Sequence, residues 1–171
     1  MSKLPLFMEN VKIVPGFSQA AGNAGAAADR VSLENYERVA ILVSIYQAAA
    51  NDNTLTFHKA TAATGGTEDT VNAIPNWWYC EDVTLGTTAD TWTKGTAVAS
   101  GSTITTSATG GNVTSYYLID IGADELPEGG YDYKFVELNH GGVGDATNLV
   151  SAVYLLYNPR YGQAVLPSAQ A

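Results

Sequence analysis

The sequence of 171 residues contains a single cysteine, Cys80. One cysteine excludes an intrachain disulfide and any zinc site that is built from several cysteines. Histidine is almost as scarce, since only His58 and His140 are present. A catalytic set that joins a histidine to a nucleophile therefore has few possible members, and the chemistry open to the side chains is narrow.

Positive charge is scarce as well. Lys and Arg number 8 against 17 Asp and Glu, which gives a formal net charge of -9. The cations are spread along the chain without forming a basic patch, so we expect no binding to nucleic acid through its phosphates.

Long apolar runs are missing too. No stretch approaches the roughly 18–20 apolar residues that a membrane-spanning helix needs. Residues 1–8 are short and are interrupted by Pro5, unlike the apolar region of a signal peptide. We therefore expect a protein that is made in a cytoplasm, stays soluble and does not enter a membrane.

Charged residues make up only 15% of the chain, against about 25% in an ordinary soluble domain. Thr, Gly, Ser and Asn take their place. These residues favour turns and the solvent-facing positions of strands. The composition therefore predicts an all-β protein with many connections.

Four segments have the alternation or the β-branched and aromatic content of strands, namely 38–46, 115–121, 131–138 and 148–157. The last of them carries no charge, so we expect it to be buried on both faces in the middle of a sheet. The turn residues at 51–53 predict a hairpin after the first of them. Several further short strands between turn signals predict a β-sandwich or jelly roll.

The two ends of the chain differ from its middle. Residues 1–30 predict an extended N-terminal arm, with one short strand that stops at Pro15-Gly16 and a linker of small residues behind it. Residues 31–158 form the expected sandwich domain. Residues 159–171 form a C-terminal tail.

No residue pattern indicates a catalytic centre or a bound cofactor. Cys80 falls on a predicted strand, where a cysteine usually acts as a small buried hydrophobe. His58 shares a face with threonines and should be solvated, and His140 should lie in an exposed loop beside two glycines. The acidic loop 124–128 leaves open a calcium site or, as the simpler alternative, solvated turn acids.

The aromatic residues offer more, because the segment around Trp77 and Trp78 holds adjacent large rings. Trp77 and Tyr79 should project to one side of their strand, and Trp78 and Cys80 to the other. Together with Trp92, these rings fit three roles: part of the core, anchors of a protein interface, or a platform for a sugar ligand.

Three segments together resemble small capsid-associated proteins of tailed bacteriophages. They are Ser32–Val43, the corner Asp124–Tyr133 and the end Val153–Gly162. The proteins that they resemble are decoration, or cement, proteins built as β-sandwiches or jelly rolls. The likeness covers roughly half of the chain, leaves about residues 64–112 unmatched, and rests on structural rather than chemical motifs.

The resemblance implies a non-enzymatic virion protein that binds the outside of a phage capsid and stabilises contacts between major capsid protein subunits, often as a trimer. Apolar anchors in the termini and the exposed aromatics would meet the partner. The expected interface residues are Leu6, Phe7, Phe17, Trp77, Trp78, Pro159, Arg160 and Tyr161. The alternative function is a carbohydrate- or receptor-binding β-sandwich module of a phage fibre or tail.

Overall fold

The computed structural model describes residues 10–21, 24–81, 91–106, 113–141 and 146–160. These residues form two antiparallel sheets that pack against each other, which confirms the predicted β-sandwich class. The strands are β1 (Val11–Ala21), β2 (Ala26–Ala27), β3 (Val31–Ser32), β4 (Tyr36–Gln47), β5 (Thr54–Ala60), β6 (Glu68–Thr70), β7 (Asn76–Cys80), β8 (Thr93–Lys94), β9 (Thr103–Thr105), β10 (Val113–Gly122), β11 (Phe135–His140) and β12 (Leu149–Pro159). A turn of 3-10 helix, Ala123–Glu125, follows β10.

The first sheet has the strand order β1-β12-β4-β10-β7-β8. The second sheet has the order β2-β11-β5-β6, and β3 and β9 pair with β11 and β5 respectively. Strands that are neighbours in space are mostly distant in sequence, so the chain crosses repeatedly between the sheets.

Strand β4 lies at the centre of the first sheet and carries the predicted row of β-branched residues. Val39, Ile41, Val43 and Ile45 are completely buried against the second sheet. Each buried aliphatic side chain of this size stabilises the fold by about 1.5–3 kcal/mol relative to exposure. The predictions of strands at 38–46 and 115–121 are confirmed, because β4 and β10 pair without a break along their whole length.

The second sheet supplies the opposite half of the core. Leu55 and Phe57 on β5 and Val136 and Leu138 on β11 are completely buried. Because side chains alternate between the two faces of a strand, these residues meet the inner row of the first sheet and leave the intervening residues on the outside.

A tyrosine hydroxyl joins the two sheets through the core. Between β2 and β3 the chain leaves β11 at Ala28, whose N–H donates to the carbonyl oxygen of Leu138 at 2.8 Å. The N–H of Leu138 donates instead to the Oη of Tyr154, on β12 of the first sheet, at 2.9 Å. Tyr154 is completely buried, and burial raises the pKa of its hydroxyl.

Strand β12 lies where the sequence predicts a strand, but the prediction that both of its faces are buried is wrong. Val150, Ala152, Tyr154 and Leu156 are buried, whereas the residues between them are only half-buried. Its apolar composition on both sides therefore has a second cause, which lies on the outer surface of the first sheet.

The predicted end of the first strand at Pro15-Gly16 is also wrong, because β1 continues to Ala21 and pairs with β12. The strand tolerates Pro15 since it forms the edge of the sheet, where a missing N–H costs no ladder bond. Register shifts beside Pro15 and Phe17 absorb the irregularity. Residues 11–21 and 26–27 thus belong to the sheets rather than to a free arm.

Two further local predictions are corrected. The turn at 51–53 does not make a hairpin, because β4 belongs to the first sheet and β5 to the second. The predicted strand 131–138 begins only at Phe135, after a turn in which Glu128 bridges to Tyr131. Gly129 and Gly130 adopt φ values of 61° and 81° in that turn, a conformation that glycine tolerates best.

The bond from Leu138 to Tyr154 leads to a test of the core. Replacing Tyr154 with Phe keeps the ring but leaves a buried backbone N–H without its acceptor, which costs about 1–3 kcal/mol. We expect the urea-unfolding free energy to fall by this amount. Tyr131→Phe, at a ring that is 53% exposed, is the control and should change it little. Equal stability of Tyr154→Phe and the parent would contradict this account.

Candidate functional site

The residues expected at an interface that fall in the described ranges do not all lie on one surface. Leu6, Phe7 and Tyr161 lie outside the described residues. Phe17 packs against the core at the edge of the first sheet. Pro159 ends β12, and Arg160 is exposed, with its backbone N–H donating to the carbonyl oxygen of Asn35 at 3.0 Å.

Trp77 and Trp78 project to opposite faces of β7, as predicted. Trp77 packs against the core, whereas Trp78 pairs in register with Leu118, which alternates with the buried residues of β10 and so faces outward. The two tryptophans therefore belong to two different surfaces.

The first surface is the outer side of the first sheet, and a single row of apolar residues crosses five of its strands. Pro15 lies opposite Val153, Val153 opposite Leu42, Leu42 opposite Leu118 and Leu118 opposite Trp78. None of these residues is fully buried. An unbroken apolar row on the outside of a sheet is unusual, because such positions are commonly polar.

A second row widens this surface. Ile13, which is 41% exposed, lies opposite Leu155, and Leu155 lies opposite Ala40. We call the two rows together the outer apolar face; its residues are Ile13, Pro15, Ala40, Leu42, Trp78, Leu118, Val153 and Leu155. Tyr46 and Tyr116 border it on the side away from Ile13.

The outer apolar face is bordered by one ion pair and one further cation. At its border, Arg38 Nε lies 3.0 Å from Asp120 Oδ1, and the hydroxyl of Tyr157 donates to the same oxygen at 2.8 Å. Burial lowers the pKa of Arg38, but the hydrogen bond and charge of Asp120 outweigh it and raise that pKa. The ammonium of Lys94 lies 5.7 Å from the centre of the Trp78 ring. The surface is thus close to neutral in a chain whose net charge is -9.

The outer side of the second sheet has the opposite character. Thr54, Thr56 and His58 alternate with the buried residues of β5, and Thr56 shares a hydrogen bond with Thr103 across the sheet. Glu137, next to His58 in register, pairs with Arg30 at 2.7 Å. Of the two outer faces, only that of the first sheet is apolar.

The sequence contains the pattern of the outer apolar face, but the same pattern predicts a strand that is buried on both faces. The run 148–157 is apolar on both sides, and so is much of β4. A strand that is buried on both faces and a strand with one buried face and one binding face show the same composition, so the pattern alone does not separate them.

The second surface is a cleft at the margin of the sandwich, which we call the aromatic cleft. Its volume is about 680 Å³, and residues of both sheets and their loops line it: Asp52, Trp77, Tyr79, Glu81, Lys94, Gly95, Thr96, Thr105, Thr106 and Tyr117. The rings of Trp77, Tyr79 and Tyr117 lie side by side, with centroids 5.5 to 6.5 Å apart.

The two residues that follow β8, Gly95 and Thr96, hold Trp77 in place. Its Nε1–H donates to the carbonyl oxygen of Thr96 at 2.8 Å, and the N–H of Gly95 donates to the carbonyl oxygen of Trp77 at 2.9 Å. Gly95 packs directly against the indole, so a Cβ at this position would come within 2.0 Å of the ring. The position of the indole is therefore fixed before any ligand arrives.

Polar groups complete the cleft. The hydroxyl of Tyr117 donates to Glu81 Oε1 at 2.9 Å. Asp52, Thr96 and Thr105 are exposed on its walls. The arrangement offers carboxylate acceptors and threonine hydroxyls beside half-buried rings. Tyr117, Asp52 and the threonines were not predicted as neighbours, since they come from segments that are distant in sequence.

The histidines lie on neighbouring strands but project to opposite faces of the second sheet, and Cys80 belongs to the first sheet. His140 ends β11 and is buried, so the prediction of an exposed loop is wrong; its Nε2 lies 3.3 Å from Asn53 Oδ1. His58 shares its face with threonines, as predicted, but is half-buried with Nδ1 3.0 Å from Glu68. Cys80 is buried on β7 in the other sheet.

Burial of His140 makes the stability of the fold depend on pH. Burial lowers the pKa of His140 below 6.5, so the unfolded chain takes up a proton that the folded chain resists. Stability should therefore decrease as the pH falls through about 6.5. His140→Gln should show a weaker decrease than the parent when urea unfolding is measured at several pH values. An unchanged slope would show that other groups control it.

The contact between Gly95 and Trp77 can be tested by adding one methyl group. Gly95→Ala must displace the indole, and we expect it to lower the unfolding free energy by about 1–3 kcal/mol, as overpacking does. The near-ultraviolet circular dichroism should change as well. Thr96→Ala, at the exposed neighbouring position, should leave both unchanged. A fully stable Gly95→Ala with an unaltered spectrum would contradict the geometry.

A scan against protein-family models gave no match, and neither did a comparison with curated protein sequences. Within the described ranges, no three His, Cys, Asp or Glu side chains come together as a possible metal site. No helix among the described residues is long and apolar enough to cross a membrane.

Proposed function

We propose that this chain is a non-enzymatic virion structural protein that binds the outside of a phage capsid and stabilises contacts between major capsid protein subunits. The single observation that carries the assembly role is the outer apolar face of the first sheet. The resemblance of three segments to phage decoration proteins supplies the capsid as the partner.

The outer apolar face has the composition of a protein-binding surface. Trp78 and the bordering Tyr46 and Tyr116 belong to the residue types that are enriched at interfaces. Arg38 on its border is already paired with Asp120, so covering this pair strands no isolated charge. A neutral surface also lets an acidic protein approach a partner without strong repulsion.

The outer apolar face is small for a complete interface. Five strands spaced by about 4.8 Å and three residues along each strand cover on the order of 250 Å². This area is somewhat below that of the largest apolar patch on a typical monomer, which is about 300–600 Å². A standard interface buries about 800 Å² on each partner, so further contacts must supplement the face.

The chain ends are well placed to supply those contacts. Val11, near the beginning of the described chain, lies opposite Tyr157, near its end. The first and last described strands therefore have these ends at the same corner of the sandwich, beside the edge of the outer apolar face. This placement supports the proposal that the terminal segments contact a neighbouring subunit.

The proposal includes self-association on the shell, because the decoration proteins that the chain resembles often act as trimers. It also includes location on the exterior of the virion after synthesis in the host cytoplasm. The two histidines project to opposite faces of the second sheet and Cys80 belongs to the first sheet, an arrangement that supports a role without catalysis.

The function can be tested by mixing the purified protein with undecorated capsids of its own phage. We expect saturable binding at symmetry-related positions and a higher temperature of capsid disruption. Leu42→Lys places a charge in the middle of the outer apolar face and should weaken binding at least tenfold, a change of about 1.4 kcal/mol.

Thr56→Lys is the matched control. Thr56 is half-buried on the outer side of the second sheet, as Leu42 is on the first, and its replacement should leave binding intact. Circular dichroism would establish that both variants fold. Absence of parent binding would remove the proposed function, whereas a folded Leu42→Lys that binds normally would remove only the role of the face.

A further inference from the structure

We propose that the aromatic cleft binds a neutral saccharide. This activity goes beyond binding to the capsid, and it uses a different surface. The sequence offered Trp77, Trp78 and Trp92 as one sugar platform, but the cleft is lined by Trp77 with Tyr79 and Tyr117, while Trp78 lies on the outer apolar face. The inference therefore rests on a set of residues that only the fold brings together.

The shape and composition of the cleft suit a small ligand with apolar faces. Its volume of about 680 Å³ falls in the range of small-molecule sites, which is about 300–1,000 Å³. Half-buried Trp77 and Tyr79 supply flat apolar surface. The C–H faces of a pyranose ring are apolar, so they pack favourably against such rings, while its hydroxyls point outward to polar partners.

The polar groups on the walls suit a ligand with many hydroxyls. Asp52 and Glu81 accept hydrogen bonds, and the hydroxyls of Thr96 and Thr105 both donate and accept. A polyhydroxylated ligand needs this mixture, since each sugar hydroxyl can donate to one group and accept from another. Carboxylates form the stronger, charge-assisted bonds of this kind.

The charges of the cleft disfavour anions. Two carboxylates in the cleft and a net charge of -9 on the chain repel phosphates and similar ligands. The ammonium of Lys94 lies over the Trp78 ring on the opposite face of β7, so it does not oppose a cation in the cleft. A neutral polyol uses the two carboxylates as hydrogen-bond acceptors, and a cation is the competing ligand that the test includes.

The indole in the cleft is held rigidly. Trp77 is fixed by Gly95 and by the bond from its Nε1–H to the carbonyl oxygen of Thr96. A ligand that binds against a fixed ring loses little free energy to ordering of the site. Gly95 occupies one side of the indole, so the ligand would contact the remaining surface together with Tyr79.

The test is calorimetric titration of the full chain with cellohexaose, maltohexaose, xylohexaose and chitohexaose, with tetramethylammonium as the cationic probe and inorganic phosphate as the anionic one. We expect at least one oligosaccharide to bind with one site per chain, and neither ion to bind. Binding of none of the four, or binding of tetramethylammonium or phosphate alone, would overturn the proposal.

Variants locate the site. Asp52→Asn keeps the size of an exposed side chain, and Tyr79→Ala removes a ring from the wall; each should weaken saccharide binding fivefold or more. Trp78→Phe, on the same strand but the opposite face, is the matched control and should not affect it. If both cleft variants fold and bind the sugar as the parent does, the cleft is not the site.

The same variants separate this inference from the capsid-binding function. Asp52→Asn and Tyr79→Ala should bind undecorated capsids as the parent does, because neither residue belongs to the outer apolar face. Leu42→Lys should keep its affinity for the oligosaccharide. Loss of both activities in a single folded variant would contradict two independent surfaces.

Discussion

The burial of one row of side chains on β4 determines which side chains of the first sheet face the core and which face outward. Val39, Ile41, Val43 and Ile45 have no exposure to solvent. Because successive side chains of a strand point to opposite faces, burying this row turns Leu42 and its neighbours outward. A shift of one residue in the pairing would exchange the two sets. The core and the outer apolar face are thus two results of one register.

The same rule of alternation explains which parts of the fold could be predicted. Strands β4, β10 and β12 follow from local patterns of apolar residues, and the opposite directions of Trp77 and Trp78 follow from their adjacency. The rule also predicts that Tyr117, Ile119 and Ile121 share the core side of β10, and all three are buried. Local sequence is sufficient here because the period of a strand is set within a few residues.

The connections could not be predicted in this way, because distant residues decide them. The N–H of Asn53 donates to Thr106 Oγ1 at 2.9 Å, and the N–H of Ala49 donates to Asn148 Oδ1 at 3.0 Å. These bonds stabilise a crossing between the sheets at a point where turn residues alone predict a hairpin. His140 was placed in a loop for a similar reason, since its partner Asn53 is 87 residues away.

The two candidate surfaces differ in the same way, because local sequence sets one and distant residues set the other. The outer apolar face is a property of single strands, and its composition was visible in the sequence although it was interpreted as burial. The aromatic cleft is a property of the assembled sandwich, because Asp52, Trp77 and Thr105 come from separate segments that meet at its margin. Sequence patterns therefore carry information about the first surface and almost none about the second.

The pairing of Val11 with Tyr157 has a consequence for the order of the strands along the chain. The two residues are register partners on antiparallel strands, where the Cα atoms of such partners are about 4.5–5.5 Å apart. The beginning of β1 and the end of β12 therefore lie side by side in the fold. A circular permutant that joins this corner with a short peptide, and opens the chain at a surface loop, would keep every strand pair of the sandwich.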